Sequence, residues 1–196
     1  MCDSVIEKGI PVDVQYKMVP KHLLMQGRRE FMFLCLYNSY DKLHLHDIHI
    51  RSVARAAPVC YALDFILVLL DFPGPMYEHV ISSTTIGKGG SYLTKLKETS
   101  RYMEYTAKLP LATPVITTST PDINKTVTIQ NLVDLSRRGE NFAFIIGLGR
   151  RGIPTSLRKK APYHWDATER RIALETCTAI GYIAALYATA CEYDLS

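Results

Sequence analysis

Short apolar runs separated by amphipathic stretches set the rhythm of this chain. Residues 31–37 (FMFLCLY), 65–70 (FILVLL), 114–118 (PVITT) and 142–146 (FAFII) have the length and composition of buried strands. Between them, residues 47–57 (DIHIRSVARAA) carry Ile50, Val53, Ala54 and Ala57 on one helical face and Arg51 and Arg55 on another, with Pro58 set to end or kink that helix. Residues 82–90 (SSTTIGKGG) read as a glycine-rich loop and 92–105 as a charged amphipathic helix. A helix over 126–138 has a threonine at its start and Gly139 just past its end, as capping requires. Residues 174–187 form a last helix, apolar on nearly every side and therefore expected to be buried. Strands alternating with helices predict an α/β fold with a mainly parallel sheet flanked by helices. The first thirty residues, with Pro11 and Pro20, read as an extension ahead of one domain over 31–196.

The bulk numbers narrow the class. Apolar residues make up 47% and charged residues 21% of the 196, an ordinary globular composition that can bury a full core. The central apolar run at 65–70 is far too short to span a membrane, and Asp3 and Glu7 interrupt any secretory pattern, so a cytoplasmic protein is expected. Five cysteines without a C-x-x-C pair suggest neither a disulfide framework nor a zinc knuckle. The net charge is only +4, but Arg150, Arg151, Arg158, Lys159 and Lys160 lie close together, and Arg170 and Arg171 come soon after. Such a flank suits a polyanion, or is simply a solvated loop.

The basic flank begins at NFAFIIGLGRRGIP, residues 141–154, where a strand runs into Gly147, Gly149 and Gly152. The spacing is G-x-G-x-x-G, yet a dinucleotide site needs a helix after the glycines and a second βαβ half, and Pro154 and Pro162 interrupt the stretch where that helix would lie. A plain tight turn is one alternative. Another is a cup formed with the stretch RIALETCTAIG, residues 171–181, whose exposed N–H groups and small side chains suit a flat ring with a polar tail. Three further clusters are candidates for binding. His44, His46, Asp47 and His49 have metal-like residue types, but neither helix nor strand geometry puts them on one side, and no metal is expected. Lys88 in the glycine-rich loop could meet a phosphate. Trp165, with Tyr163 and His164, could stack on a base or anchor a loop or a dimer face.

Three motifs in order resemble the SPOUT class of methyltransferases, with an archaeal branch nearest. HIRSVARAA, residues 49–57, resembles the first motif, with His49 at an Asn position and Arg55 at its Arg. FIIGLGRRGI, residues 144–153, resembles the second, with Gly147 and Gly152 on its glycines and Arg151 where the family has an acid. ALETCTAIG, residues 173–181, resembles the third, with Glu175 in place of an Asn. The resemblance implies a C-terminal trefoil knot, S-adenosylmethionine as cofactor, an RNA substrate such as tRNA or rRNA, and a homodimer. Thr117, Thr118, Ser119, Gly147, Leu148, Gly149, Gly152, Ile172, Leu174, Thr176 and Thr178 would hold the cofactor. Arg55 and Glu175 would be the catalytic pair, and His49, Arg51, Arg150 and Arg151 would meet substrate. Arg151 and Glu175 form a candidate exchanged pair, a base meeting an acid where the family has an acid meeting an amide. The changed polar positions keep two rival classes in view: a non-catalytic RNA-binding protein on the same scaffold and, on the glycines alone, an NAD-binding enzyme.

Overall fold

The computed structural model describes residues 32–83, 87–105, 109–149 and 151–192; the N-terminal extension and Arg150 lie outside them. The described chain runs β1 (Met32–Asn38), α1 (Asp47–Ala62), β2 (Ile66–Leu70), α2 (Met76–Ser83), α3 (Gly89–Glu98), β3 (Tyr102–Tyr105), β4 (Thr113–Thr117), a short 3-10 turn (Ile123–Lys125), α4 (Ile129–Arg137), β5 (Phe142–Leu148), α5 (Thr155–Lys160), β6 (Tyr163–Trp165) and α6 (Thr176–Glu192). The six strands are all parallel, in the order β3-β2-β1-β5-β4-β6. The first three strands step outward in one direction, and the last three build the other half. From edge strand β6 the chain returns so that α6 packs against β5, α1 and α4.

Alternation along the strands splits the core in two. Leu34, Leu36, Phe142, Phe144 and Ile146 face one side, where Val53, Ala56 and Ala57 of α1 and Ile180, Ile183 and Tyr187 of α6 cover them. Phe33, Cys35, Val68, Ala143 and Ile145 face the other, closed by Leu109, Ile153, Ala161 and Leu157. Each large side chain buried this way contributes about 1.5–3 kcal/mol. Because both faces are covered, β1, β2, β4 and β5 are nearly continuous apolar runs, which the sequence pattern shows.

The departures from expectation have local causes. The stretch 92–105 is not one helix: α3 stops at Glu98 and β3 pairs with β2. Ser100 takes a left-handed φ of 56°, while Ser100 N and Arg101 N donate to the carbonyls of Lys97 and Leu96. That is the Schellman stop usually marked by glycine. Gly139 makes the same stop after α4, with Gly139 N and Glu140 N on the carbonyls of Ser136 and Leu135. Ser82 and Ser83 end α2, and Gly89 and Gly90 open α3, so only part of the expected glycine-rich loop is loop. Pro58 does not end α1, which continues to Ala62. Its missing N–H would have served the Ala54 carbonyl one turn back. Gly89 of α3 lies against that oxygen so closely that a β-carbon there would stand 2.3 Å from it. The last helix is buried along one side only, through Ala179, Ile180, Ile183, Ala184, Tyr187 and Ala190, and Tyr182 stays 44% exposed.

Candidate functional site

At the carboxyl ends of β4, β5 and β6 lies a cavity of about 380 Å³. Its walls come from the turn after β4 (Thr117, Thr118, Ser119, Thr120), the glycine turn after β5 (Gly147, Arg151, Gly152) and the connection from β6 into α6 (Asp166, Thr168, Ile172, Leu174, Thr176). Ligand sites in open parallel sheets lie at such strand ends. Each wall is held for an identifiable reason. Thr117 donates its hydroxyl to the Ile145 carbonyl at 2.7 Å, tying β4 to β5 beneath the cavity. A β-carbon on Gly147 would stand 3.2 Å from Gly152 Cα and carbonyl carbon, so the turn folds back onto a backbone with no side chain. Gly149 and Gly152 take left-handed φ values of 95° and 60°.

The third wall hangs on Asp166, which no sequence motif singled out. One carboxylate oxygen accepts from Thr168 N at 3.1 Å and Thr168 Oγ1 at 2.7 Å, and the other from Arg171 N at 2.6 Å. These bonds curl a connection in which Glu169 and Arg171, neither a glycine, hold left-handed φ values of 54° and 57°. The Asp-x-Thr pattern at 166–168 is an Asx-turn signal that could have located it.

Of the residues expected at the cofactor, Thr117, Thr118, Ser119, Gly147, Gly152, Ile172, Leu174 and Thr176 line this cavity together. Three do not line it. Leu148 is fully buried, with its carbonyl accepting from Ser39 Oγ. Gly149 faces Tyr40, and Thr178 turns its N–H to Glu175. Glu175 works as the cap of α6: its carboxylate accepts from Cys177 N at 2.9 Å and Thr178 N at 3.4 Å. Arg55, on α1, reaches the same turn and donates to Cys177 Sγ at 3.1 Å. Cys177 and then Glu175 hold the Arg55 guanidinium above its already high pKa, so it stays charged. Arg151 stands exposed at the cavity and makes no ion pair with Glu175, whose acid is turned to the α6 cap; the two do not form the exchanged pair.

Several expectations are corrected. His49 does not face a substrate; it is fully buried. Its Nδ1 accepts from His46 N at 3.0 Å, so Nε2 carries the proton and donates to Asn38 Oδ1 at 3.1 Å. Burial, then the neighbouring His46, holds its pKa below the ordinary value. Arg51 pairs along its own helix with Asp47 at 3.1 Å, away from the cavity. Trp165 is 1% exposed and packs on Phe144, so it cannot stack on a base from solvent. His164 beside it is also buried: Nδ1 accepts from Asp122 N and Nε2 donates to the Arg158 carbonyl, each at 2.9 Å. His44 and His46 both turn to Asp41, which their bonds and two backbone N–H groups hold strongly ionised.

The fold is similar to that of several solved methyltransferases. The chain superposes on a protein described as a probable methyltransferase from Bordetella pertussis Tohama I with a TM-score of 0.58 at 16% identity, covering 83% of this chain and 97% of that one. It matches the SpoU methyltransferase AviRb from Streptomyces viridochromogenes, solved with AdoMet, with a TM-score of 0.52 at 12% identity, covering 82% and 58%. A structure described as giving insights into the 2-OH methylation of C/U34 on tRNA gives 0.52 at 14%, covering 85% and 99%. By sequence, the chain belongs to the family described as "Protein of unknown function (DUF531)", which matches residues 32–188. An archaeal relative, the uncharacterized protein MJ0224 of Methanocaldococcus jannaschii, is 44% identical over 154 residues, 78% of this chain and 90% of the relative.

Proposed function

We propose that the chain is an S-adenosylmethionine-dependent methyltransferase that modifies RNA. The observation that carries the reading is the meeting of three strand-end loops around one cavity, in a fold similar to that of a methyltransferase solved with AdoMet. The residues fit the cofactor. A cavity of about 380 Å³ is in the range of small-molecule sites. Its Gly147–Gly152 backbone cradle is one that a β-carbon would crowd, and threonine and serine hydroxyls line the opposite wall.

Thr117, Thr118, Ser119, Gly147, Gly152, Ile172, Leu174 and Thr176 would hold the cofactor. When bound, it supplies an activated methyl group on a sulfonium. The protein's part is then alignment and electrostatics. Arg55 is too basic to remove a proton, but its guanidinium can fork to an acceptor oxygen and a neighbouring phosphate. Glu175 is a positioning residue in this scheme: it fixes the first turn of α6, and Cys177 of that turn fixes Arg55. Arg151, at the cavity, and the exposed Lys159, Lys160, Arg170 and Arg171 would meet the RNA backbone.

Arg55 does not line its own chain's cavity, and the outer side of α6 leaves Tyr182 exposed. These two facts support a homodimer in which Arg55 serves the partner's cavity. Threading of the C-terminal helix and a cytoplasmic setting belong to the same reading; no helix among the described residues is long and apolar enough to cross a membrane. The NAD alternative loses support, because the glycine turn leads into a helix of only six residues. Calorimetry with S-adenosylmethionine, then transfer of its labelled methyl group to total RNA, tests the proposal. Binding with no transfer would leave the idle RNA-binding reading, and no binding would end both steps.

A further inference from the structure

Arg158 is the cation that the proposed cofactor and RNA contacts leave unexplained. It lines the cavity and is half-buried. Both ends of the residue are fixed. Its carbonyl accepts from His164 Nε2 at 2.9 Å and from Lys125 Nζ at 3.3 Å, and its Nη2 donates to the Thr120 carbonyl across the cavity wall. Lys125 also donates to the Ala161 carbonyl at 2.9 Å, so the C-terminal end of α5 is clamped. No carboxylate among the described residues pairs with Arg158. Asp166 is the acid among the lining residues, and its two oxygens already accept from Thr168 and Arg171.

A half-buried guanidinium that is pre-positioned at the cavity and has no carboxylate partner among the described residues suits an anion from the ligand. Its single bond to Thr120 leaves further N–H groups of the fork for a planar, two-oxygen acceptor. We propose that Arg158 captures the carboxylate of the cofactor's amino-acid end and makes the site selective for a donor that carries one. The inference rests on the cofactor reading. An RNA phosphate is the other oxyanion that could come here. The carboxylate is favoured because Arg158 belongs to the Thr120 wall of the cavity, whereas Arg151 is the exposed arginine there.

The test uses the full chain and two ligands that differ only in that group, S-adenosylmethionine and its decarboxylated form, measured by calorimetry. The wild type is expected to prefer the carboxylated ligand by about tenfold or more. Arg158→Ala should erase that preference while leaving affinity for the decarboxylated ligand unchanged, which also shows that the cavity is intact. Arg158→Lys should restore part of it. A variant that keeps the preference, or weakens both ligands alike, overturns the proposal. So does one that keeps the preference and loses only RNA affinity, which would assign the residue to phosphate. A wild type that binds neither ligand would instead overturn the cofactor reading itself.

Discussion

At the carboxyl ends of β1 and β2 the chain fills the space with its own side chains; at β4, β5 and β6 it leaves a cavity. In the filled half, Asn38 is fully buried and completely used. Its Nδ2 donates to the carbonyls of Asp41 at 2.6 Å and Asp71 at 3.0 Å, and its Oδ1 accepts from Tyr40 N and His49 Nε2, both at 3.1 Å. Lys42 adds a bridge to Asp71 and a bond to Tyr37. In the open half Gly147, which pairs in register with Tyr37, and Thr117 stand at the cavity with the turns beyond them, and their side chains are too small to close the gap. Parallel strand ends are therefore only an opportunity. The side chains standing there decide whether the end becomes a plug or a pocket.

The largest expected effect breaks the plug. Asn38→Ala would remove four hydrogen bonds at once, to the Asp41 and Asp71 carbonyls, Tyr40 N and the buried His49 ring, and should cost about 3 kcal/mol in urea unfolding. If instead its stability matched the wild type, the filled half would not be held by this side chain. Next, Gly147→Val would push a side chain into the Gly152 backbone and the cavity, and should weaken S-adenosylmethionine about ten- to a hundredfold by calorimetry. Undiminished affinity would place the cofactor elsewhere.

Acid should then loosen both halves through one buried histidine each. Burial lowers the pKa of His49 and of His164 below the ordinary 6.5. The unfolded chain therefore binds more protons as pH drops through that value, and stability rises with pH across the same window. It is fully present above about 6.5 and is lost as pH falls toward the lowered values. Amide exchange should show protection falling at the β1–α1 and α5–β6 joints between pH 8 and pH 5, while the centre of β5 keeps it; equal loss everywhere would contradict the assignment. The smallest change concerns the α6 cap. Glu175→Ala should cost about 1 kcal/mol of stability and, if its role is positioning, lower methyl transfer far less than Arg55→Ala does. Equal collapse of transfer in both variants would make the carboxylate itself chemical.

Much of the open half could be read from the chain alone. β4 and β5 are apolar runs, and their carboxyl ends carry the threonines and glycines that line one cavity. The stop after α4 was legible because glycine performs it, whereas the same stop after α3 was hidden because Ser100 does. Strand β6 has three residues, too few for any periodicity, so the chain alone left Trp165 open between stacking on a base and anchoring a loop, and did not show that it is buried against Phe144 beneath the cavity. His49 misled for a different reason. Its type and spacing matched a substrate position, but its fate was set by Asn38, a partner on another element that no local pattern reveals. Arg158 lay inside a visible basic run, yet only the folded chain separates the one arginine clamped against Thr120 from its solvated neighbours.

The contact between Gly89 and the Ala54 oxygen has a mechanical meaning. Where most helix pairs are spaced by side chains that can change rotamer, α1 and α3 touch here main chain to main chain, a joint without upholstery. Such a joint resists the rolling of one helix over the other, so it fixes how α3, and the edge strand it leads into, sit on α1. Arg55 follows Ala54 on the same helix. Its reach toward α6 is thus gauged partly by a residue whose only contribution is the atom it lacks.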